Sequence, residues 1–203
     1  MLKKLFRKNG APMISPEEEL RQWELNGRPT PPPHIIKQRA IAEYQSKYGN
    51  RVLVETGTYL GDMVEAQKNL FSTIFSIELS SRLYKQALKR FKGDGRIRLL
   101  QGDSGKRLNE IVSELKEPAL FWLDGHYSGG ITALGDKECP VPEELEAIFK
   151  SPLNHVILVD DARLFNGANS YPDIDQLKEC ISRNNKSYQI EIKDDIIRLT
   201  AIS

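Results

Sequence analysis

Acidic residues follow two short apolar runs in the second half of the chain. Asp124 comes directly after residues 119–123, and Asp160 and Asp161 come directly after residues 156–159. If both runs are neighbouring strands of a parallel sheet, these three carboxylates meet at its carboxyl edge and repel one another unless a cation lies among them. Oxygen ligands suit Mg²⁺ or Ca²⁺ better than zinc, so the pattern predicts a divalent metal site. The competing interpretation is a helix N-cap at Asp161 and an ordinary strand-end Asp124.

Another apolar run, residues 51–55, ends in a glycine-containing stretch. It reads Glu55-Thr-Gly57-Thr58-Tyr59-Leu-Gly61 and precedes a predicted helix. Glycines there permit a tight turn and close approach of a ligand to the backbone at a helix N-terminus. The spacing is not the Gly-x-Gly-x-x-Gly that seats a dinucleotide, and Glu55 suits a cationic ligand group better than a phosphate. A tight turn without a ligand is the competing interpretation.

Polar residues also follow the next two predicted strands. Glu78 lies about 20 residues past the glycine turn, where an acid can accept both hydroxyls of a ribose. The alternative is a solvated strand-end carboxylate. Asp103 and Ser104 follow the third strand, and either could cap the next helix. Asp103 could also accept a hydrogen bond from the exocyclic amine of a purine.

His126, two residues after Asp124, is a candidate general base. An imidazole with its ordinary pKa of about 6.5 exchanges protons readily at neutral pH. A structural role or a contact to a cofactor is an equally good interpretation. The surrounding Gly125-His-Tyr-Ser-Gly-Gly130 lacks the Gly-x-Ser-x-Gly spacing of a nucleophile elbow, so the motif does not support a hydrolase.

The elements that must position these residues follow from the apolar periodicity. Helices are predicted over residues 34–48, 62–70, 82–91, 106–115, 142–149 and 174–184. Strands are predicted over residues 51–55, 72–77, 97–101, 119–123 and 156–159, with a terminal hairpin of residues 188–192 and 196–202. This alternation predicts an α/β fold, an open and mostly parallel doubly wound sheet with helices on both faces. The hairpin adds an antiparallel edge.

Residues 1–33 differ from the rest and are predicted to form an N-terminal arm or lid, with residues 34–203 as the main domain. Ser15 and Pro16 indicate a short helix, with Ser15 as its N-cap. The proline-rich stretch 28–33 cannot be helix or central strand and predicts an extended connector.

Composition excludes several classes of protein. The chain has 203 residues, 39% of them hydrophobic, which is enough for one folded core. Its net charge of +1 argues against nucleic acid as the main ligand. No apolar run approaches the roughly 20 residues of a membrane span, and the basic N-terminus lacks the apolar stretch of a secretory signal. Two cysteines are too few for a disulfide framework, so a cytoplasmic protein is expected.

The ordered motifs resemble those of class I S-adenosylmethionine-dependent methyltransferases. The stretch Val52-Leu-Val-Glu-Thr-Gly-Thr-Tyr-Leu-Gly61 is similar to their motif I, and its Glu-x-Gly-x-Tyr-x-Gly form is close to metal-dependent O-methyltransferases of the catechol and macrolide-sugar kinds. Glu78 is similar to their ribose-binding acid. The resemblance covers roughly residues 50–165, by ordered motifs rather than by length alone. It implies a Rossmann-like seven-stranded sheet of order 3-2-1-4-5-7-6.

The resemblance also implies roles for the candidate residues. The methionine end of S-adenosylmethionine would be lined by Glu55, Gly57, Thr58, Tyr59 and Gly61, its ribose would be held by Glu78, and its adenine would lie near Asp103 and Ser104. Mg²⁺ would be held by Asp124, Asp160 and Asp161. The reaction would be methyl transfer to a hydroxyl oxygen, with His126 as the first candidate for the base. Asp124 and His126 would also contact the cofactor.

The chain departs from the catechol enzymes in two places. Those enzymes carry a lysine base shortly after the strand-four aspartate, but residues 125–128 include no lysine, and Asp161 stands where those enzymes use asparagine. Both differences favour a less acidic hydroxyl, on a small molecule or saccharide, and a homodimer is compatible with the N-terminal arm. The alternatives are a metal-independent methyltransferase, a non-catalytic cofactor-binding or interaction subunit, an NAD-dependent enzyme and a peripheral membrane role for residues 1–8.

Overall fold

A computed structural model describes residues 14–125, 139–184 and 187–202. Its helices are α1 Pro16–Leu25, α2 His34–Tyr48, α3 Asp62–Gln67, α4 Ser81–Arg90, α5 Ser104–Glu114, α6 Val141–Phe149 and α7 Ile174–Ser182, with a short 3-10 helix at Ala162–Leu164. Its strands are β1 Val52–Thr56, β2 Thr73–Glu78, β3 Ile97–Gln101, β4 Ala119–Leu123, β5 Val156–Val159, β6 Tyr188–Lys193 and β7 Ile196–Ala201.

The strands of the described residues form one seven-stranded sheet of order β3-β2-β1-β4-β5-β7-β6. The pairs from β3 through β5 are parallel, whereas β7 runs antiparallel to both β5 and β6. The predicted doubly wound sheet, its strand order and its terminal hairpin are therefore confirmed. The strand order reverses between β1 and β4, and ligands of such sheets bind at the carboxyl ends of the strands near that point.

Strands β1, β4 and β5 are buried along their whole length because helices cover both faces of the sheet. Alternate side chains of one strand enter opposite cores, as period-two geometry requires. Val52 and Val54 pack in one core, while Leu53 packs in the other with Ile41 of α2. Helix α2 is thereby fixed against the sheet, which sets the position of every other side chain on its buried face.

The N-terminal part confirms the predicted helix and extends it. Ser15 caps α1 by accepting a hydrogen bond from the Glu18 N–H at 3.2 Å, and the helix continues to Leu25. The Trp23 indole N–H donates to the Pro29 carbonyl at 2.7 Å, so α1 and the proline-rich connector fold back on each other. The division at residue 33 stays a prediction. Within the described segments, no helix is long and apolar enough to cross a membrane.

Candidate active site

Backbone hydrogen bonds align the residues that follow the central strands. The Asp124 N–H donates to the Thr56 carbonyl at 3.2 Å, and the Asp160 N–H donates to the Leu123 carbonyl at 3.0 Å. The residues beyond β1, β4 and β5 therefore lie in one row at the carboxyl edge of the sheet. This row brings the sequence-predicted site residues of these strands together, as the motif order requires.

The glycines of the β1–α3 loop are needed by the protein's own packing. Gly57 has a φ of 85°, and a Cβ there would lie 2.2 Å from the carbonyl oxygen of Asp124. Gly61 has a φ of 81°, and its Cβ would lie 2.7 Å from the Phe91 ring. A side chain is excluded at both positions by conformation and by contact. The close approaches that these two glycines permit are to Asp124 and Phe91 of the protein itself.

Glu78 holds the glycine loop to the end of β2. Its carboxylate accepts the Tyr59 N–H and the Ser80 N–H, each at 2.8 Å. Burial raises the pKa of Glu78, although these backbone donors act in the opposite direction. The side chain is only 6% exposed, so the interpretation as a solvated strand-end acid is wrong. Each carboxylate oxygen has a further lone pair for a ligand hydroxyl.

Glu55 is enclosed between β1 and β2. It is 1% exposed and accepts a short hydrogen bond from the Ser76 hydroxyl, which also pairs with the Thr58 hydroxyl at 2.6 Å. Burial raises the pKa of Glu55 to about 8, so the carboxyl group is largely protonated at neutral pH. A bound cation would favour its ionised form.

Asp103 caps α5, as one of its two interpretations predicts. Its carboxylate accepts the Lys106 N–H at 3.2 Å, and Ser104 is the first residue of the helix and is buried. The helix therefore begins two residues before the predicted residue 106. The adenine role of both residues stays a prediction.

The three strand-end aspartates are close enough to affect one another's ionisation. Asp160 and Asp161 are 2% and 6% exposed. Burial and then the charge of Asp160 raise the pKa of Asp124 well above its ordinary value. Burial also raises the pKa of Asp160, against the opposing effect of Lys37.

Lys37 of α2 provides a cation at this cluster. Its ammonium donates a short hydrogen bond to Asp160 Oδ2 and a second one, of 3.2 Å, to Asp161 Oδ1. Burial acts to lower the pKa of Lys37, but the charges of Asp160, Asp124 and Asp161 outweigh it and raise the pKa. Lys37 therefore carries a full positive charge among the strand-end carboxylates.

Arg163 supplies a second cation from the 3-10 helix. Its guanidinium donates to Asp161 Oδ1 at 2.8 Å and makes a short ion pair with Asp195, whose other oxygen accepts the Arg163 N–H at 2.8 Å. Asp161 has a φ of 55°, a conformation that aspartate tolerates better than most residues. Asp161 thus bridges Lys37 and Arg163.

Comparison with solved structures identifies the fold. An O-methyltransferase from Bacillus cereus in complex with SAH is 18% identical, with a TM-score of 0.62 over 93% of this chain and 90% of that chain. An O-methyltransferase from Streptomyces achromogenes, involved in tomaymycin synthesis and solved with SAM, is 14% identical, with a TM-score of 0.61 over 93% and 89%. An SAH-bound methyltransferase from Podospora anserina is also 14% identical, with a TM-score of 0.60 over the same shares. The chain has the class I methyltransferase fold.

This fold is shared without close sequence similarity. No protein-family model matches the chain, and no curated protein matches it in sequence. The resemblance of motif I and Glu78 to the class I methyltransferases, seen in the sequence, is therefore supported by the three-dimensional arrangement rather than by overall identity.

The predicted magnesium site is not supported on this methyltransferase fold. Among residues 14–125, 139–184 and 187–202, no group of three histidine, cysteine, aspartate or glutamate side chains is arranged to hold a metal ion. The carboxylates of Asp160 and Asp161 instead accept hydrogen bonds from Lys37. An ammonium and a divalent cation at the same carboxylates repel each other, so the residues present do not fit a metal ion.

Sequence reasoning missed Lys37, although a signal for it exists. Lys37 lies four residues before Ile41 and seven before Tyr44, both buried on the inner face of α2. A lysine on an apolar stripe needs a charged partner, because burial of an unpaired ammonium is costly. His126, the predicted base, lies outside the described residues, and its role stays a prediction.

Proposed function

We propose that the protein is an S-adenosylmethionine-dependent methyltransferase that methylates a hydroxyl oxygen of a small molecule or saccharide. The observation that carries the proposal is the contact between Glu78 and the Tyr59 N–H at 2.8 Å. It joins the motif I loop to the predicted ribose acid beside the point where the strand order reverses. Class I methyltransferase neighbours solved with SAM or SAH support the same conclusion.

The residues at the carboxyl edge fit this cofactor chemically. Glu78 is a buried carboxylate that can accept hydrogen bonds from two ribose hydroxyls. Glu55 is a buried carboxyl group, and an ammonium group of the cofactor beside it would favour its ionised form. Asp103 lies at the N-terminus of α5, on the β3 side of Glu78. Glu55 would bind the methionine end of the cofactor, Glu78 the ribose and Asp103 the adenine. This order follows the order of β1, β2 and β3 across the sheet.

The chemistry needs orientation and removal of one proton. A bound S-adenosylmethionine supplies a methyl group on a positively charged sulfur. Attack by the acceptor oxygen forms the O–C bond as the S–C bond breaks, and sulfur keeps the electron pair. The protein's residues hold both partners in line, which accounts for much of the acceleration in such transfers. We assign proton removal to His126, which follows the β4 end of the site.

We propose an acceptor that is not a nucleic acid. The net charge of +1 offers no excess of positive charge for a phosphate backbone. Residues 125–128 contain no lysine where catechol enzymes carry their base, which favours a hydroxyl less acidic than a phenol. Fold similarity alone does not select among acceptors, so the choice depends on these residues.

Calorimetric titration with S-adenosylhomocysteine tests cofactor binding. We expect micromolar affinity in the wild type and at least about 10-fold weaker binding in Glu78→Gln, because a charged hydrogen bond to the ribose is lost. Glu110→Gln on the exposed face of α5 is the matched control and should bind like the wild type. No binding by the folded wild type would refute the proposal.

Turnover separates an enzyme from a cofactor-binding subunit. The protein is incubated with S-adenosylmethionine and a panel of sugars, nucleotide sugars and phenols, and formation of S-adenosylhomocysteine is measured. We expect the wild type to form S-adenosylhomocysteine when a hydroxyl-bearing acceptor is present. The turnover rate should be about 100-fold lower, or lower still, in His126→Ala. Cofactor binding without turnover on any acceptor, together with a stable partner on pull-down, would favour the interaction subunit.

A further inference from the structure

Lys37 is buried at a place where its own helix does not favour it. It lies in the first turn of α2, where the helix dipole disfavours a positive charge. Its side chain is 15% exposed, and the side chain of Asp160, its partner, is fully enclosed. The position of Lys37 is therefore explained by its ion pairs with Asp160 and Asp161 and not by a contribution to the stability of α2.

The carboxylates need a cation, and the chain provides one. Asp124 and Asp160 follow the neighbouring strands β4 and β5, whose last residues Leu123 and Val159 are paired, so their carboxylates lie at the same edge of the sheet as the Lys37 ammonium. Asp160 and Asp161 accept hydrogen bonds from it directly. Like-charged carboxylates this close are stable when an opposite charge lies among them. Lys37 meets the requirement that first suggested a metal ion.

The partners are held rigidly on both sides. Ile41, one turn after Lys37, is fully buried against the sheet, and Asp160 follows β5 directly. Lys37 and Asp160 are 123 residues apart in the chain, yet both are fixed by the same core. The backbone that carries the ammonium is consequently fixed by core packing, and the side chain reaches the carboxylates from within the fold.

We propose that Lys37 is a built-in replacement for the divalent cation at the strand-end carboxylates. Asp124, Asp160 and Asp161 then bind no metal ion in the wild type, and methyl transfer proceeds without one. The consequence for methyl transfer rests on the proposed function. The replacement of the cation itself depends only on the contacts of Lys37 and can be tested separately.

The test asks whether removal of the ammonium creates a metal site. The purified full-length protein is treated with a chelator, dialysed, and titrated with Mn²⁺ and with Mg²⁺ by calorimetry and by thermal unfolding. The variants are Lys37→Ala, Asp160→Asn, the double variant Lys37→Ala with Asp160→Asn, and Lys47→Ala. Lys47 lies exposed near the other end of α2, so its variant has the same change in net charge away from the carboxylates.

We expect no metal binding by the wild type or by Lys47→Ala. Lys37→Ala should bind Mn²⁺, and its unfolding midpoint should rise by about 5 °C or more at a metal concentration 100 times the dissociation constant. The double variant should lose this response. If Lys37→Ala does not fold without metal, Lys37→Gln, which keeps a donor for Asp160 but no charge, should gain the same response.

Two results would overturn the inference. Metal binding by the wild type that disappears in Asp160→Asn would mean that a divalent ion displaces Lys37. A folded Lys37→Ala that binds neither metal would mean that the carboxylates do not form a cation site. Titration of the same preparations with S-adenosylhomocysteine distinguishes these failures from failure of the methyltransferase function, since the cofactor and metal responses are measured independently.

Discussion

The α-carbon of Gly57 faces the carbonyl oxygen of Asp124 so closely that a Cβ at residue 57 would lie 2.2 Å from that oxygen. The contact joins the end of β1 to the end of β4, on either side of the point where the strand order reverses. Both ends carry predicted site residues. The glycine therefore sets the width of the site through backbone packing.

Gly57→Ala should destabilise the protein by about 2 kcal/mol or more, because both the positive φ and the backbone overlap disfavour a side chain. Gly93→Ala is the matched control, since Gly93 has a φ of 90° but a Cβ added there would meet no atom within 4 Å. Gly93→Ala should lower the free energy of unfolding by only about 1 kcal/mol. Urea unfolding of both variants measures the difference. Equal losses would show that the overlap at Asp124 relaxes freely.

Binding of S-adenosylhomocysteine should release a proton from Glu55. The pKa of Glu55 is about 8 in the ligand-free protein, and an ammonium group beside it would lower that value. Affinity should therefore rise with pH up to about 8 and then level off. Calorimetry in buffers of different ionisation enthalpy measures the released proton. Glu55→Gln corrects for titration of the ligand's own amino group, and an identical proton release in that variant would contradict the assignment.

The raised pKa of Glu55 should also make the wild type less stable at higher pH. The unfolded carboxyl loses its proton near pH 4.5 and the folded one near pH 8, so unfolding becomes easier between these values. Glu55→Gln removes this dependence. From pH 5 to pH 8 the variant should gain about 2 kcal/mol or more relative to the wild type, since each pKa unit is worth about 1.4 kcal/mol. Parallel urea curves at the two pH values test this.

Much of the fold could be predicted because local and long-range signals agree. Strands β3, β4 and β5 lie at their predicted bounds, and β4 and β5 are short apolar runs between polar or turn residues. Helix α3 is different, since it ends at Gln67 and not at residue 70. The Leu70 N–H donates to the Gln67 carbonyl at 2.8 Å in a turn that closes the helix before β2. Such end geometry is not encoded in periodicity.

The candidate site was only partly predictable for a physical reason. Glu55 and Glu78 follow their own strands, so their places at the carboxyl edge follow from topology alone. Lys37 belongs to a helix that precedes the sheet, and its contact with Asp160 depends on how α2 packs across the sheet. Strand-end acids indicated the need for a cation, but they could not show that the cation is part of the chain.

The N-terminal arm should be separable from the sheet core. Trp23 is 8% exposed but belongs to neither of the hydrophobic cores found in the described residues, whereas Trp122 is enclosed in one of them. Trp23→Ala leaves Trp122 as the single tryptophan reporter. The free energy of unfolding, followed by Trp122 fluorescence, should change by less than about 1 kcal/mol, while trypsin cleavage after Arg21 within α1 should accelerate. A loss above about 2 kcal/mol would place α1 within the main cooperative unit.

Substitution of Asp103 can separate its capping role from its predicted role at the adenine. Asp103→Ser keeps a side-chain acceptor for the Lys106 N–H, so stability should stay within about 0.5 kcal/mol of the wild type. Asp103→Ala removes the cap and should cost about 1 kcal/mol. If the carboxylate also binds the adenine amine, both variants should weaken S-adenosylhomocysteine binding by roughly 10-fold, because each loses a charged hydrogen bond. Wild-type affinity in Asp103→Ser would assign Asp103 to helix capping and not to the cofactor.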